Sequence, residues 1–99
     1  MEIIQLDNES KFKELVEKES KVLVDFYATW CGPCKMLAPI LESADSEIKV
    51  IKVDTDEFDD LSREYGVMSI PTLVLLENGK EVKRNIGFID KDALEQFLK

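Results

Sequence analysis

Apolar and polar residues recur along this chain with two different periods, and the switches between them mark out its elements. Residues 3–6 read as a short strand. Asp7 or Asn8 then stands where a side-chain oxygen can cap a helix, and Phe12, Leu15 and Val16 fall on one face of it. Residues 22–28 are apolar on both faces except at Asp25, which predicts a strand covered on both sides. Pro33 occupies the first turn of a helix, where proline is favoured, and Met36, Leu37, Ile40 and Leu41 follow at helical spacing. Pro39 lies inside that helix, removes a backbone donor and predicts a kink.

Residues 48–54 predict a third strand, with Ile48, Val50 and Lys52 on one face and Lys49, Ile51 and Val53 on the other. Residues 58–65 predict a short helix stopped near Gly66. Residues 72–76 form a fully apolar strand, Asn78-Gly79 is a hairpin turn, and residues 81–86 return. Asp90 caps a last helix that turns Leu94, Phe97 and Leu98 inward. Phe58 and Tyr65 read as core. The order is βαβαβαββα. Strand–helix alternation in the first part predicts parallel strands joined by right-handed crossovers, and the hairpin adds antiparallel ones. The class is therefore α/β, with a central mixed five-stranded sheet flanked by helices on both faces, in a single domain over residues 1–99.

Composition narrows the functions open to such a domain. Hydrophobic residues make up 44% of the 99, enough for one core. The formal net charge is −8, from 21 acidic and 13 basic residues, so the basic footprint of a nucleic-acid binder is missing. Partners with neutral or basic surfaces are favoured. Apolar runs are too short to span a membrane. The first residues carry neither the basic region nor the long apolar stretch of a signal peptide, so a cytoplasmic location is expected. No glycine-rich phosphate loop or nucleotide fingerprint is present, so no cofactor is expected.

The candidate chemistry lies in Trp30-Cys31-Gly32-Pro33-Cys34, which holds both cysteines of the chain at the junction of an apolar strand and an apolar helix. A thiol at a helix N-terminus meets unpaired backbone N–H groups and the positive end of the dipole, which favour its thiolate. Cys31 occupies that place and reads as the attacking nucleophile. Cys34, a turn later and expected to lie deeper, reads as the resolving thiol. A structural disulfide closing so short a loop would stabilise little. A zinc site needs about four ligands, and this chain has no His and no further Cys. Asp25 is either a half-exposed residue at a strand edge or a buried carboxylate whose pKa desolvation raises. Lys52 taken alone is a surface lysine. Trp30 beside a reactive thiol reads as a rim residue. Pro71 is compatible with a simple strand boundary. Gly87 either turns the chain or admits a close backbone.

The strand Lys21-Val22-Leu23-Val24-Asp25-Phe26-Tyr27-Ala28, the cysteine motif, the following Lys35-Met36-Leu37-Ala38-Pro39-Ile40-Leu41 and Ser69-Ile70-Pro71-Thr72 occur in this order. With them the chain strongly resembles the thioredoxin family over nearly its whole length. The resemblance implies the thioredoxin fold and a general protein-disulfide reductant working through a Cys31–Cys34 redox disulfide. It implies that Asp25 is a buried acid that takes the proton of Cys34, and that Lys52 is the base often paired with it. It implies a cis Ile70–Pro71 bond, and a flat docking surface made of Trp30, Gly32, Pro33, Ile70, Pro71 and Gly87. Phe88 stands where the family often has a small residue, and Tyr27 where many members have a second tryptophan. Gly32-Pro33 resembles the dipeptide of the reducing members. The partners implied are disulfide-containing substrate proteins and a thioredoxin reductase, with the chain itself a monomer. The helix after Cys34 is a turn shorter than is usual in the family, at the end remote from the cysteines. Two rivals remain: an oxidase or isomerase of the same fold in an oxidising compartment, and a binding module that uses the apolar surface without redox turnover.

Overall fold

The structure, a computed structural model, describes residues 1–99. Its elements are β1 (Ile3–Gln5), α1 (Glu9–Lys18), β2 (Lys21–Tyr27), α2 (Gly32–Ser43), β3 (Lys49–Asp54), α3 (Asp59–Glu64), β4 (Thr72–Glu77), β5 (Lys80–Ile86) and α4 (Lys91–Phe97). The expected order βαβαβαββα is the observed one. The strands form one sheet in the order β1-β3-β2-β4-β5. β3 runs parallel to both β1 and β2, and β4 runs antiparallel to β2 and β5. The sheet is therefore mixed, with β2 covered by strands on both sides.

Each helix begins for a reason visible in the sequence. The Asn8 side chain accepts the backbone N–H of Lys11 at the start of α1, and Asp90 accepts that of Ala93 at the start of α4. Cys31 itself is the N-cap of α2, ahead of Gly32 and Pro33. α2 continues through Pro39, on its exposed side, to Ser43. Met36 is a correction to the sequence expectation: it is 61% exposed rather than core. Cys34, Leu37 and Leu41 define the buried stripe of α2, and Met36 lies about 100° or more from each of them around the helix. The β4–β5 hairpin turns at Asn78 and Gly79, with φ of 51° and 80°, the left-handed pair such a two-residue turn demands.

Alternation along β2 sorts the core into two layers. Val22, Val24 and Phe26 join Phe12 and Leu15 of α1, Leu61 of α3, and Ile51 and Val53 of β3. Leu23 joins Leu37 and Leu41 of α2, Leu94 of α4, and Leu73 and Leu75 of β4. Phe58 is buried in the first layer; Tyr65 is half-buried there, its ring 5.9 Å from Phe12 and 5.6 Å from Phe26. No helix is long and apolar enough to cross a membrane.

Candidate active site

The second layer ends at the cysteines. β2 delivers the chain to Ala28, and Cys31 caps the helix that turns back over the sheet. Cys31 and Cys34 form a disulfide with their Cα atoms 5.2 Å apart. The backbone N–H of Cys34 donates to the Sγ of Cys31 at 3.2 Å, and the Lys35 N–H donates to the Cys31 carbonyl at 3.1 Å. Cys31 Sγ is thus held against the unpaired donors of the first turn of α2, the place that stabilises a thiolate. Burial does not separate the two cysteines, at 5% and 4% exposure. What distinguishes Cys31 is the capping position and its neighbours, since Trp30, Gly32 and Pro33 are all exposed.

Asp25 is 1% exposed, so the strand-edge reading falls. It sits in the central strand, in register with Lys52 of β3 and Leu73 of β4. Leu23, two residues earlier on the same face, packs with Leu37 and Leu41. Tyr27, two residues later, packs against Ala28, Cys31 and Cys34. Asp25 therefore lies beneath the opening turns of α2, between the core and the disulfide. Burial raises its pKa from 3.8 to about 6, and the Lys52 charge offsets part of that rise. Its Oδ1 has no hydrogen-bond partner. Lys52 makes no ion pair with it: the ammonium lies over the Tyr27 ring, 4.3 Å from the centroid.

The loop before β4 closes the other side. The Ile70–Pro71 peptide bond is cis. Cys31 Sγ lies 3.9 Å from the Ile70 carbonyl oxygen. The buried Thr72 hydroxyl donates to Ser69 O at 2.6 Å, which fastens the turn ahead of the strand. Gly87 joins the same rim, because its N–H donates to Pro71 O at 2.8 Å. Its φ of 96° is reason enough for glycine, and an added Cβ would face open space.

Trp30 is 68% exposed and fixed by its indole N–H, which donates to Asp56 Oδ2 at 2.8 Å. A shallow groove of about 280 Å³ runs from Trp30 to Ile70, walled by Asp56, Arg63 and Met68. The larger cleft, about 750 Å³, lies between Asp45 and α4 and borders none of these residues. Met36, Met68 and Phe88 add exposed apolar surface, Met68 at 96% exposure. Every residue expected at the site belongs to this one end of the sheet, save that Lys52 reaches it through Tyr27. Sequence reasoning missed Asp56, Gln5 and the two exposed methionines. Asp56 sits in the acidic run Asp54-Thr55-Asp56-Glu57, where nothing local singles it out. Only the crossing of β3 beside β2 brings it to Trp30.

Comparison with known proteins agrees with this geometry. The family model described as thioredoxin matches residues 2–99. The thioredoxin of Bacillus subtilis (strain 168) is 49% identical over 84 residues, which cover 81% of each chain. The bifunctional thioredoxin reductase/thioredoxin of Mycobacterium leprae (strain TN) is 45% identical over 99 residues, covering 96% of this chain and 22% of that protein. Among solved structures, a mutant thioredoxin from Halobacterium salinarum NRC-1 superposes with a TM-score of 0.90 at 38% identity, covering 96% of this chain and 86% of that one.

Proposed function

The chain belongs to the thioredoxin family, and from that membership we propose that it is a general protein-disulfide reductant of the cytoplasm, recycled by a thioredoxin reductase. Dithiol–disulfide exchange through Cys31 and Cys34 is the family's chemistry, and this chain carries it. The observation that carries the assignment of roles is Cys31 as the N-cap of α2, with its sulfur accepting the Cys34 N–H, which marks it as the attacking thiol.

In the proposed cycle the Cys31 thiolate attacks one sulfur of a substrate disulfide. A Cys31–substrate disulfide forms and the other substrate sulfur leaves as a thiolate. Asp25, as carboxylate, takes the proton of Cys34. The Cys34 sulfur then attacks Cys31, the Cys31–Cys34 bond forms, and the second substrate sulfur is released. Two electrons have passed to the substrate. Lys52 adjusts the charge on Asp25. Trp30, Gly32, Pro33, Ile70, Pro71 and Gly87 form the surface on which the substrate lies, its backbone meeting that of Ile70 as a short added strand. The groups invoked all come from one chain, which supports a working monomer. The transfer to substrate uses the two sulfurs and the acid, and the cycle closes when the reductase returns two electrons to the Cys31–Cys34 disulfide.

The reductase assignment is supported by the M. leprae relative, whose name joins both activities in one protein. A dithiol that must be kept reduced belongs in a reducing compartment, which supports the cytoplasm. Two measurements test the reading together. The Cys31–Cys34 couple should equilibrate below the cytosolic glutathione poise of about −220 to −260 mV; a value far above it would indicate an oxidant or isomerase. Cys34→Ser should trap substrate proteins covalently on Cys31, and Cys31→Ser should trap none. Failure of Cys34→Ser to hold any protein would remove the assigned roles.

A further inference from the structure

Lys52 has two seats within reach. Its register partner across β2 is Asp25, a buried carboxyl with an unpartnered oxygen. One step along the same face of β2 is the ring of Tyr27. The ammonium occupies the second seat, 4.3 Å from the ring centroid, and takes part in no ion pair. The ring is itself anchored: Gln5 of β1, also in register with Lys52, donates from Nε2 to the Tyr27 hydroxyl oxygen at 2.6 Å. Three adjacent strands thus contribute to one arrangement. Burial is the main reason the Tyr27 phenol stays protonated well above its usual range, so the ring presents a neutral π face to the cation.

We propose that Tyr27 is a positioning residue: its ring, anchored by Gln5, holds the Lys52 ammonium beside Asp25 but off it, so that the carboxyl remains free to exchange a proton with Cys34. Direct pairing would fix Asp25 as a carboxylate and weaken it as a base. An ammonium lost to solvent would leave the buried acid neutral. The seat on the ring gives an intermediate field, in keeping with an acid that titrates at about 6. The proposal rests on the proton-accepting role of Asp25 for its purpose, though not for its geometry. The other groups around Asp25 are accounted for. β4 places Leu73 in register with it, Lys52 is the one charge that acts on it, and Asp54, Asp25 itself and Glu57 disfavour ionisation of the Tyr27 hydroxyl.

The test follows the Asp25 carboxyl by carbon-detected NMR across pH in the disulfide form, where neither cysteine titrates. The wild-type midpoint is expected near 6. In Tyr27→Leu the freed ammonium falls onto Asp25 and lowers the midpoint by about one unit. Tyr27→Phe, which keeps the ring, holds the wild-type value. In a Lys52→Met background Tyr27→Leu moves nothing further. Gln5→Ala, a change at an exposed position that only loosens the ring, shifts the midpoint in the same direction by less, and serves if Tyr27→Leu does not fold. A midpoint that stays or rises in the variants, or that falls equally without Lys52, overturns the seat. Asp25→Asn is scored separately by the rate at which the Cys31–substrate disulfide resolves. An unchanged rate would remove the proton role while leaving the seat intact.

Discussion

The two faces of β2 are alike in burial and opposite in chemistry. Val22, Val24 and Phe26 point into a layer built with α1 and α3 that is apolar apart from the Ser62 and Thr72 hydroxyls, both of which are hydrogen-bonded. Leu23, Asp25 and Tyr27 point the other way, toward α2, and along them the layer passes from aliphatic core to an unpaired carboxyl to the edge of the disulfide. Water is excluded from both. On the first face exclusion stabilises, because the side chains there are apolar or have their hydroxyls paired. On the second it raises the free energy of an acid so that the acid can change its protonation state near neutral pH. One strand therefore serves as foundation on one side and as reaction chamber on the other. The layer that gives up stability is the one that holds the chemistry.

This contrast can be broken most forcefully from the apolar side. Phe26→Ala should lower unfolding free energy by about 3–5 kcal/mol, through lost transfer energy and the cavity left behind. Denaturant titration measures it. The potential of the Cys31–Cys34 couple should not move with it, and a shifted potential would show that the faces are not separable. Asp25→Asn should have the opposite sign. The folded-state pKa lies above the unfolded one, so the native state binds the extra proton. Stability then falls as pH rises from 3.8 to about 6 and is flat above. The cost at pH 7 is about 3 kcal/mol for a rise of this size. The asparagine variant should recover much of it and lose the slope, as urea melts at acid and neutral pH would show. A variant less stable than wild type at pH 7 would contradict the orphaned carboxylate. The smallest effects belong to the caps, which treat the two faces alike. Asn8→Ala on α1 and Asp90→Ala on α4 should each cost about 1 kcal/mol by thermal or chemical unfolding, with redox turnover unchanged.

Most of the fold was legible because periodicity is a local signal. The apolar run around Asp25 reads as a strand covered on both sides, Asn78-Gly79 reads as a tight turn, and both are found. Element ends moved by a residue: β3 starts at Lys49 because Ile48 packs beside the strand rather than in it. The cysteines were legible for the same reason, since helix start and thiol spacing are written in consecutive residues. What escaped was relational. Met36 has helical spacing with Ile40 but is turned about 100° or more from Cys34, Leu37 and Leu41, and so faces out. Asp56 reaches Trp30 from another strand end. Lys52 was expected to partner Asp25, and its register does place it opposite. Its choice of the Tyr27 ring depends on side-chain geometry across three strands, which no spacing in the chain encodes.

Trp30 has a consequence of a different kind. It is the only tryptophan in the chain, it adjoins Cys31, and its indole is pinned to Asp56 rather than free to wander. Light absorbed at the red edge of the indole band is therefore re-emitted from a single spot, the lip of the groove that runs to Ile70. A protein laid over that lip would take the indole out of water, so the colour of the emission is expected to report docking with no dye attached.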